Sequence, residues 1–448
     1  MVDITLAKQN RFAGILLNIP NKRGKMSVRI VLGMQWGDEG KGKAIDTFAG
    51  DFDYIARYNG GNNAGHTIVN DYGTFKIHLV PSGVFYPQTT CLVGGGVVID
   101  PAVLLEEIQS LKDGGIDLDG RLLISPRSHV IMPYHKILDG LYEEAKGAAA
   151  TGTTRRGIGP TYADKVSYHG IRWGDFSDDK IFTEKLAMQM KIKNKIIVAL
   201  GGEALEYEAV YDEYMGYYGE IRPYIRELFP IVQDGLKSGK KFLLEQAMGS
   251  CLDNDWGTYP FVTGSTTIAS AATTGLGVPP REITEIIGIA KAYTTRVGAG
   301  PMPTEIFDDE FAIKTLSEVA ATTGRIRRGG WFDAEVVRFS TMLSGVDALF
   351  LTKLDILSAF EEIKICTGYE FGGVKVHFYD LDSYQLGRVK PIYETLPGWH
   401  SDIRGVRKFS ELPPEAQAYV ERVEELVGVR VGWVANGPER EALMERES

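Results

Sequence analysis

Apolar positions along the chain follow two rhythms. Short runs rich in β-branched residues recur and mostly end in Gly, Pro or polar loops, and longer stretches between them repeat apolar positions at helical spacing. The first run is Val28-Arg29-Ile30-Val31-Leu32-Gly33, followed by a polar glycine-rich segment and a helix-like stretch at 44–49. Further strands are expected at 90–93, 97–99, 122–124, 241–244, 285–292, 348–351 and 363–367, with helices at 101–112 and 332–343. A helix at 412–427 and a strand at 429–434 close the pattern. This alternation predicts an α/β protein built on a large, mainly parallel twisted sheet with helices on both sides. The charged, Tyr-rich 180–240 region predicts a smaller helical lobe packed on the sheet.

Length and composition narrow the picture. The 448 residues amount to about three domain-equivalents, or one large α/β domain with insertions. We read a single catalytic domain over 28–448 and an N-terminal extension over 1–27, either a mobile tail or sequence upstream of a start at Met26. Lys and Arg number 49 against 59 Asp and Glu, a formal charge of −10, which argues against a nucleic-acid binder held by a basic surface. No apolar run reaches the roughly 18 residues of a membrane span. Cys91, Cys251 and Cys366 lie far apart with no CxxC pair, which fits neither a disulfide framework nor a zinc site and predicts a cytoplasmic protein. Glycine stands out: 52 residues, where an average usage of about 7% would give far fewer.

Many of those glycines fall where chemistry is expected. Gly37-Asp38-Glu39-Gly40-Lys41-Gly42-Lys43 lies between strand and helix, where backbone N–H groups and a helix N-terminus can wrap phosphate oxygens. It departs from the usual P-loop, because Gln35 stands at the first glycine and Gly42 at the Mg²⁺-binding hydroxyl. Asp38 is the informative residue. A carboxylate beside polyphosphate suits Mg²⁺ binding or proton exchange with a substrate, the alternative being a plain helix cap. A second polar loop, Asn59-Gly60-Gly61-Asn62-Asn63-Ala64-Gly65-His66-Thr67, brings amides and a histidine able to donate a hydrogen bond or proton. After the apolar run 348–351, Thr352-Lys353-Leu354-Asp355 supplies a carboxylate able to accept both guanine N1–H and N2–H while the lysine stem covers the ring. The segment Thr322-Thr323-Gly324-Arg325-Ile326-Arg327-Arg328 offers guanidinium forks to a dicarboxylate, or forms a solvated basic loop.

These segments resemble the adenylosuccinate synthetase family. The resemblance continues through Gly157-Ile158-Gly159-Pro160-Thr161-Tyr162, Gly257-Thr258-Tyr259-Pro260-Phe261-Val262-Thr263, Val297-Gly298-Ala299-Gly300-Pro301 and Pro397-Gly398-Trp399. It implies a fold related to P-loop nucleotide hydrolases and a homodimer with one Mg²⁺ per subunit. The implied reaction couples GTP hydrolysis to the joining of L-aspartate to the 6-position of IMP. By resemblance Asp38 is the base and a Mg²⁺ ligand, Gly65 supplies a carbonyl to the metal, and His66 is the acid. The GTP site would comprise Gly37, Glu39, Gly40, Lys41, Gly42, Lys43, Gly65, Thr67, Lys353 and Asp355, with Gly437 and Pro438 against the base. The resemblance assigns Val297, Thr322, Thr323, Gly324 and Arg327 of region 294–330 to aspartate, and Asn63, Thr154, Thr263 and Arg325 to IMP. Region 346–448 would bind guanine.

Two positions depart from the family on the acceptor side. Met248, in Glu245-Gln246-Ala247-Met248-Gly249, stands where the family has a purine-contacting glutamine, and a thioether cannot replace a two-way amide. Tyr168 stands where the family supplies an arginine to the partner subunit's IMP phosphate, and Arg155 offers a replacement charge nearby. Weaker or altered acceptor binding is the expectation. Three readings follow: an adenylosuccinate synthetase, a paralogue adding aspartate to a different 6-oxopurine nucleotide or other oxo or amide acceptor, and a catalytically silent GTP-binding protein.

Overall fold

The computed structural model of the chain describes residues 27–70, 72–318 and 327–446, so nearly all of the 1–27 extension lies outside the described residues. Nine strands form the central sheet: β1 (Val28–Gly33), β2 (Tyr54–Arg57), β3 (Thr90–Val93), β4 (Leu122–Ile124), β5 (Phe242–Gly249), β6 (Ile283–Lys291), β7 (Ala348–Thr352), β8 (Val431–Ala435) and β9 (Leu443–Glu445). Their spatial order is β9-β8-β7-β6-β1-β5-β2-β3-β4. All neighbours pair in parallel except β8 and β9.

Alternation along the strands explains the layers. Ile30, Leu32, Leu244, Leu349 and Leu351 point into one apolar layer with Val337 of helix Ala334–Ser344 and Val420 and Val423 of helix Pro414–Val427. Val31, Leu243, Ile287, Ile289 and Phe350 point the other way, against Ala44 and Ile45 of helix Lys41–Phe48. Both faces are therefore covered, which a parallel sheet requires. In the 180–240 region, helices Asp179–Ala199 and Tyr207–Ile221 pack on the far end of the sheet around Phe182, Leu186 and Tyr214, and helix Leu228–Lys237 brings Val232 against Phe242.

Three expectations are corrected. The 363–367 run belongs to strand Glu362–Phe371, which leaves the central sheet and pairs antiparallel with Lys390–Pro397. Residues 97–99 shrink to Val98–Ile99, paired with His129–Val130 outside the main sheet. Phe332 and Asp333 form a short strand ahead of helix Ala334–Ser344, because Asp333 caps that helix by accepting the N–H of Val336 at 3.3 Å. Among the described residues no helix is long and apolar enough to cross a membrane, and all three cysteines are free and buried.

Candidate functional site

The loops that leave the C-terminal ends of β1, β5, β6, β7 and β8 converge on one cavity of about 790 Å³, the edge at which open parallel sheets bind ligands. The phosphate loop enters it tightly folded. Asp38 and Gly40 have φ of 61° and 95°, and helix Lys41–Phe48 starts directly after Gly40. Glu39 does not face the cavity. It is fully buried, accepts the N–H of Gln35 (3.1 Å) and Gly37 (2.9 Å), and pairs with Lys41 Nζ at 2.7 Å, so it shapes the loop from inside. Gly42 lets the helix meet the second glycine-rich segment: a Cβ there would lie 2.9 Å from His66 Cβ and 3.1 Å from Ile68 Cδ1.

His66 opens the strand His66–Asn70 and lines the cavity. Its Nδ1 bonds the carboxylate of Glu245, in the middle of β5, and lies 3.0 Å from Ser82 Oγ. Ser82 donates its N–H and its hydroxyl to the two oxygens of Glu245, each at 2.7 Å, and Arg57 lies 3.8 Å away. Burial pushes the Glu245 carboxyl up, but His66, Arg57 and the Ser82 N–H outweigh it and bring it down to about 2. Burial lowers the His66 imidazole, opposed by Glu245. The result is an oriented histidine with a carboxylate behind Nδ1 and Nε2 left for the cavity.

At one end of the cavity lie Lys353, Asp355, Gly437 and Pro438. Among the described residues Asp355 Oδ1 is buried without a hydrogen-bond partner, and burial raises the carboxyl, as suits an acceptor awaiting N–H donors. Lys43 donates to the carbonyls of Gly437 (2.6 Å) and Ala442 (2.7 Å), tying the phosphate helix to that loop. Burial is the main cause lowering its ammonium to about 8. Elsewhere Arg327 Nε meets Asp38 Oδ2 at 2.7 Å and its NH1 meets Glu318 at 2.6 Å. Asn63, Thr154 and Thr263 line a third part, Asn63 Nδ2 lying 3.4 Å from Thr263 Oγ1. The 151–154 loop there is held by Glu143, which accepts the N–H groups of Gly152 and Thr153 and the hydroxyl of Thr151.

The family model for adenylosuccinate synthetase matches residues 30–444. The chain belongs to the adenylosuccinate synthetase family. The Carboxydothermus hydrogenoformans adenylosuccinate synthetase is 46% identical over 419 residues, 93% of this chain and 98% of the relative. A Thermoanaerobacter adenylosuccinate synthetase is 46% identical over 418 residues, with the same coverage. The fully ligated Plasmodium falciparum adenylosuccinate synthetase superposes with a TM-score of 0.88 at 33% identity, over 94% of this chain and 100% of that one. The cyanophage S-2L succinoaminodeoxyadenylate synthetase, at 19% identity and a TM-score of 0.59 over 95% and 97% of the two chains, shares the fold. Membership places the chain among the nucleotide-binding ligases of purine biosynthesis.

Most of the residues assigned through the adenylosuccinate synthetase resemblance meet at this cavity: Gly37, Asp38, Gly40, Lys41, Gly42, Lys43, Asn63, Gly65, His66, Thr154, Met248, Thr263, Val297, Arg327, Lys353, Asp355, Gly437 and Pro438. Glu39 is not in its lining. Tyr168 is 95% exposed, away from this chain's own cavity. Arg155 pairs with Glu144 at 3.1 Å at the surface and is likewise outside the lining of this chain's own cavity. Thr322, Thr323, Gly324 and Arg325 lie outside the described residues.

Gln246 does not stand in for the missing glutamine. It accepts the N–H of Gly33 at 2.9 Å and donates to the Thr267 carbonyl, fully buried. Met248 lines the cavity with φ 73°, its turn fixed by Asn59, which accepts the Ala247 N–H (2.9 Å) and donates to the Ala247 carbonyl (3.2 Å). The sequence reading missed Glu245, Glu143 and Glu318. A buried acid inside an apolar strand is a visible signal for Glu245, but its partners come from other segments. Among the described residues no cluster of three or more His, Cys, Asp or Glu forms a protein-only metal site.

Proposed function

We propose that this protein is a GTP-dependent ligase joining L-aspartate to the 6-position of IMP, yielding adenylosuccinate, GDP and phosphate. The observation that carries the reading is one cavity that joins an acid with an oxygen unpartnered among the described residues (Asp355), a glycine phosphate loop, an oriented histidine and an arginine clamp. Hydroxide is a poor leaving group from C6, so the oxygen is first phosphorylated. Asp38 takes the N1 proton, the 6-oxygen attacks the γ-phosphorus, and the bond to the β,γ-bridging oxygen breaks to release GDP. Lys41 and the loop N–H groups meet the phosphate charge. Glu245 favours a protonated His66 once the triphosphate is present, so Nε2–H stabilises charge on the bridging and 6-oxygens. The aspartate amine then attacks C6, loses a proton, and phosphate departs. Arg327 binds the substrate carboxylate, its guanidinium already lying between two acids.

Mg²⁺ fits this donor set, because one carboxylate with a carbonyl and substrate phosphates is a usual magnesium environment. Asp38 and the Gly65 carbonyl would hold it, and when bound it neutralises phosphate charge. The protein would work in the cytoplasm as a homodimer, with Tyr168 presented to the partner subunit.

A second acceptor is favoured by one observation: the family's glutamine position is Met248, and Gln246 is committed elsewhere. One assay separates the readings. Protein with GTP, Mg²⁺ and aspartate is challenged with IMP, dIMP, GMP, dGMP and an inosine analogue, following GDP release and product mass. Efficient adenylosuccinate formation from IMP supports the first reading. Aspartate-dependent GDP release only with another acceptor supports the second, and no acceptor-dependent turnover overturns both.

A further inference from the structure

Behind the Asp38–Arg327 pair lies a cluster of charges that the chemistry above does not use. Glu318, largely buried, receives three cations. Its Oε1 accepts from Lys353 Nζ at 2.6 Å, from Lys291 Nζ at 3.0 Å and from the hydroxyl of Tyr293. Its Oε2 accepts from Arg327 NH1 at 2.6 Å, and its carbonyl accepts the Arg327 N–H at 2.7 Å. Lys291 is fully buried at the end of β6, also donates to Thr295 Oγ1 at 2.6 Å, and stands 5.1 Å from the centroid of the Tyr293 ring. Lys353 sits in the left-handed region at φ 59°.

We propose that Glu318 is a positioning residue that holds Lys353 of the base end and Arg327 of the aspartate end from its two oxygens, so that both substrates' affinities depend on one carboxylate. This rests on the reading that Lys353 serves guanine and Arg327 serves aspartate. Lys291, Lys353 and Arg327 share the Glu318 carboxylate, with Asp38 on the other side of Arg327, and without Glu318 the three cations would repel one another. Lys353 follows β7 and Arg327 precedes the strand Arg328–Gly330, and among the described residues Glu318 touches both. Removing the shared carboxylate therefore moves both affinities in the same direction.

The test is Glu318→Gln, which keeps the size and removes the charge. The KM values for GTP and for aspartate are each expected to rise by about 10-fold or more, the worth of one charge-assisted hydrogen bond. The kcat stays within about threefold and the KM for IMP is unchanged, a split that a general structural defect would not produce. GDP titrated into the variant alone, by calorimetry, is expected to bind about 10-fold more weakly. Unchanged KM values for GTP and aspartate overturn the proposal, as does an equal rise in the KM for IMP. If Glu318→Gln does not fold, Glu318→Asp keeps the charge but is too short to span both partners. It is expected to raise at least one of the two KM values with kcat retained, and wild-type values for both overturn the proposal. Failure of the wild-type protein to form adenylosuccinate would instead overturn the functional reading, which the GDP titration does not depend on.

Discussion

Replacing Glu245 by Gln isolates the orientation of His66. The carboxylate is fully buried, holds both donors of Ser82 and the imidazole Nδ1, and lies 3.8 Å from Arg57, which is 1% exposed. Coulomb's law at 3.8 Å with an effective dielectric near 20 gives about 4 kcal/mol for the Arg57 pair. The depression of the carboxyl from 4.5 to about 2, the net of burial against His66, Arg57 and the Ser82 N–H, corresponds to about 3 kcal/mol. A stability loss of about 3–4 kcal/mol lowers the Tm of a 448-residue chain by about 4 °C. The sign follows from a depressed folded-state value. The advantage of wild type over Glu245→Gln is fully present above pH 4.5 and is lost as pH falls toward about 2. The amide NH₂, if turned toward Nδ1–H, sets donor against donor and reverses the favoured tautomer. The kcat is then expected to fall about 10²–10⁴-fold, with the KM for GTP little changed. Urea unfolding at pH 7.5, 5 and 3 alongside steady-state kinetics tests both parts. A kcat within threefold of wild type would refute the role of Glu245, and a stability difference independent of pH would refute the electrostatic account.

Further outcomes follow from other contacts. Asp38→Ala is expected to abolish turnover while GDP still binds by calorimetry; residual turnover near wild type would remove Asp38 as the base. Asp355→Asn takes away the acceptor with an unpartnered buried oxygen, so the preference for GTP over ATP should fall by about 10–100-fold, the worth of one or two charge-assisted hydrogen bonds. An unchanged preference would detach Asp355 from base recognition. Gly42→Ala puts a Cβ 2.9 Å from His66 Cβ, an overpacking expected to cost about 1–3 kcal/mol and seen as a lower Tm together with a lower kcat.

The parts of the site that were legible beforehand are contiguous in sequence. Gly37 to Lys43, Asn59 to Thr67 and Thr352 to Asp355 each carry their chemistry within a few residues, because a phosphate loop or a strand-end acid is a local geometry set by glycines and the preceding strand. The role of the Glu39 side chain was not legible: the loop turns its carboxylate inward to hold the Gln35 and Gly37 N–H groups. Within this chain the Arg155 side chain lies against Glu144 at the surface, a contact that the local sequence does not announce.

The sequence by itself determined the α/β class, the strand of nearly every apolar run and the local loops, since period-two and helical spacing record which faces are buried. Tertiary structure decided which runs share a sheet, removing 363–367 from the central one, because periodicity does not name a pairing partner. It also decided the partners of buried acids. Glu245 meets His66, Glu143 meets the 151–154 loop, and Glu318 meets Lys353 and Arg327 only when the strand ends converge. A buried carboxylate must find counter-charge or hydrogen-bond donors wherever the fold brings them, and that requirement acts through space, not along the chain.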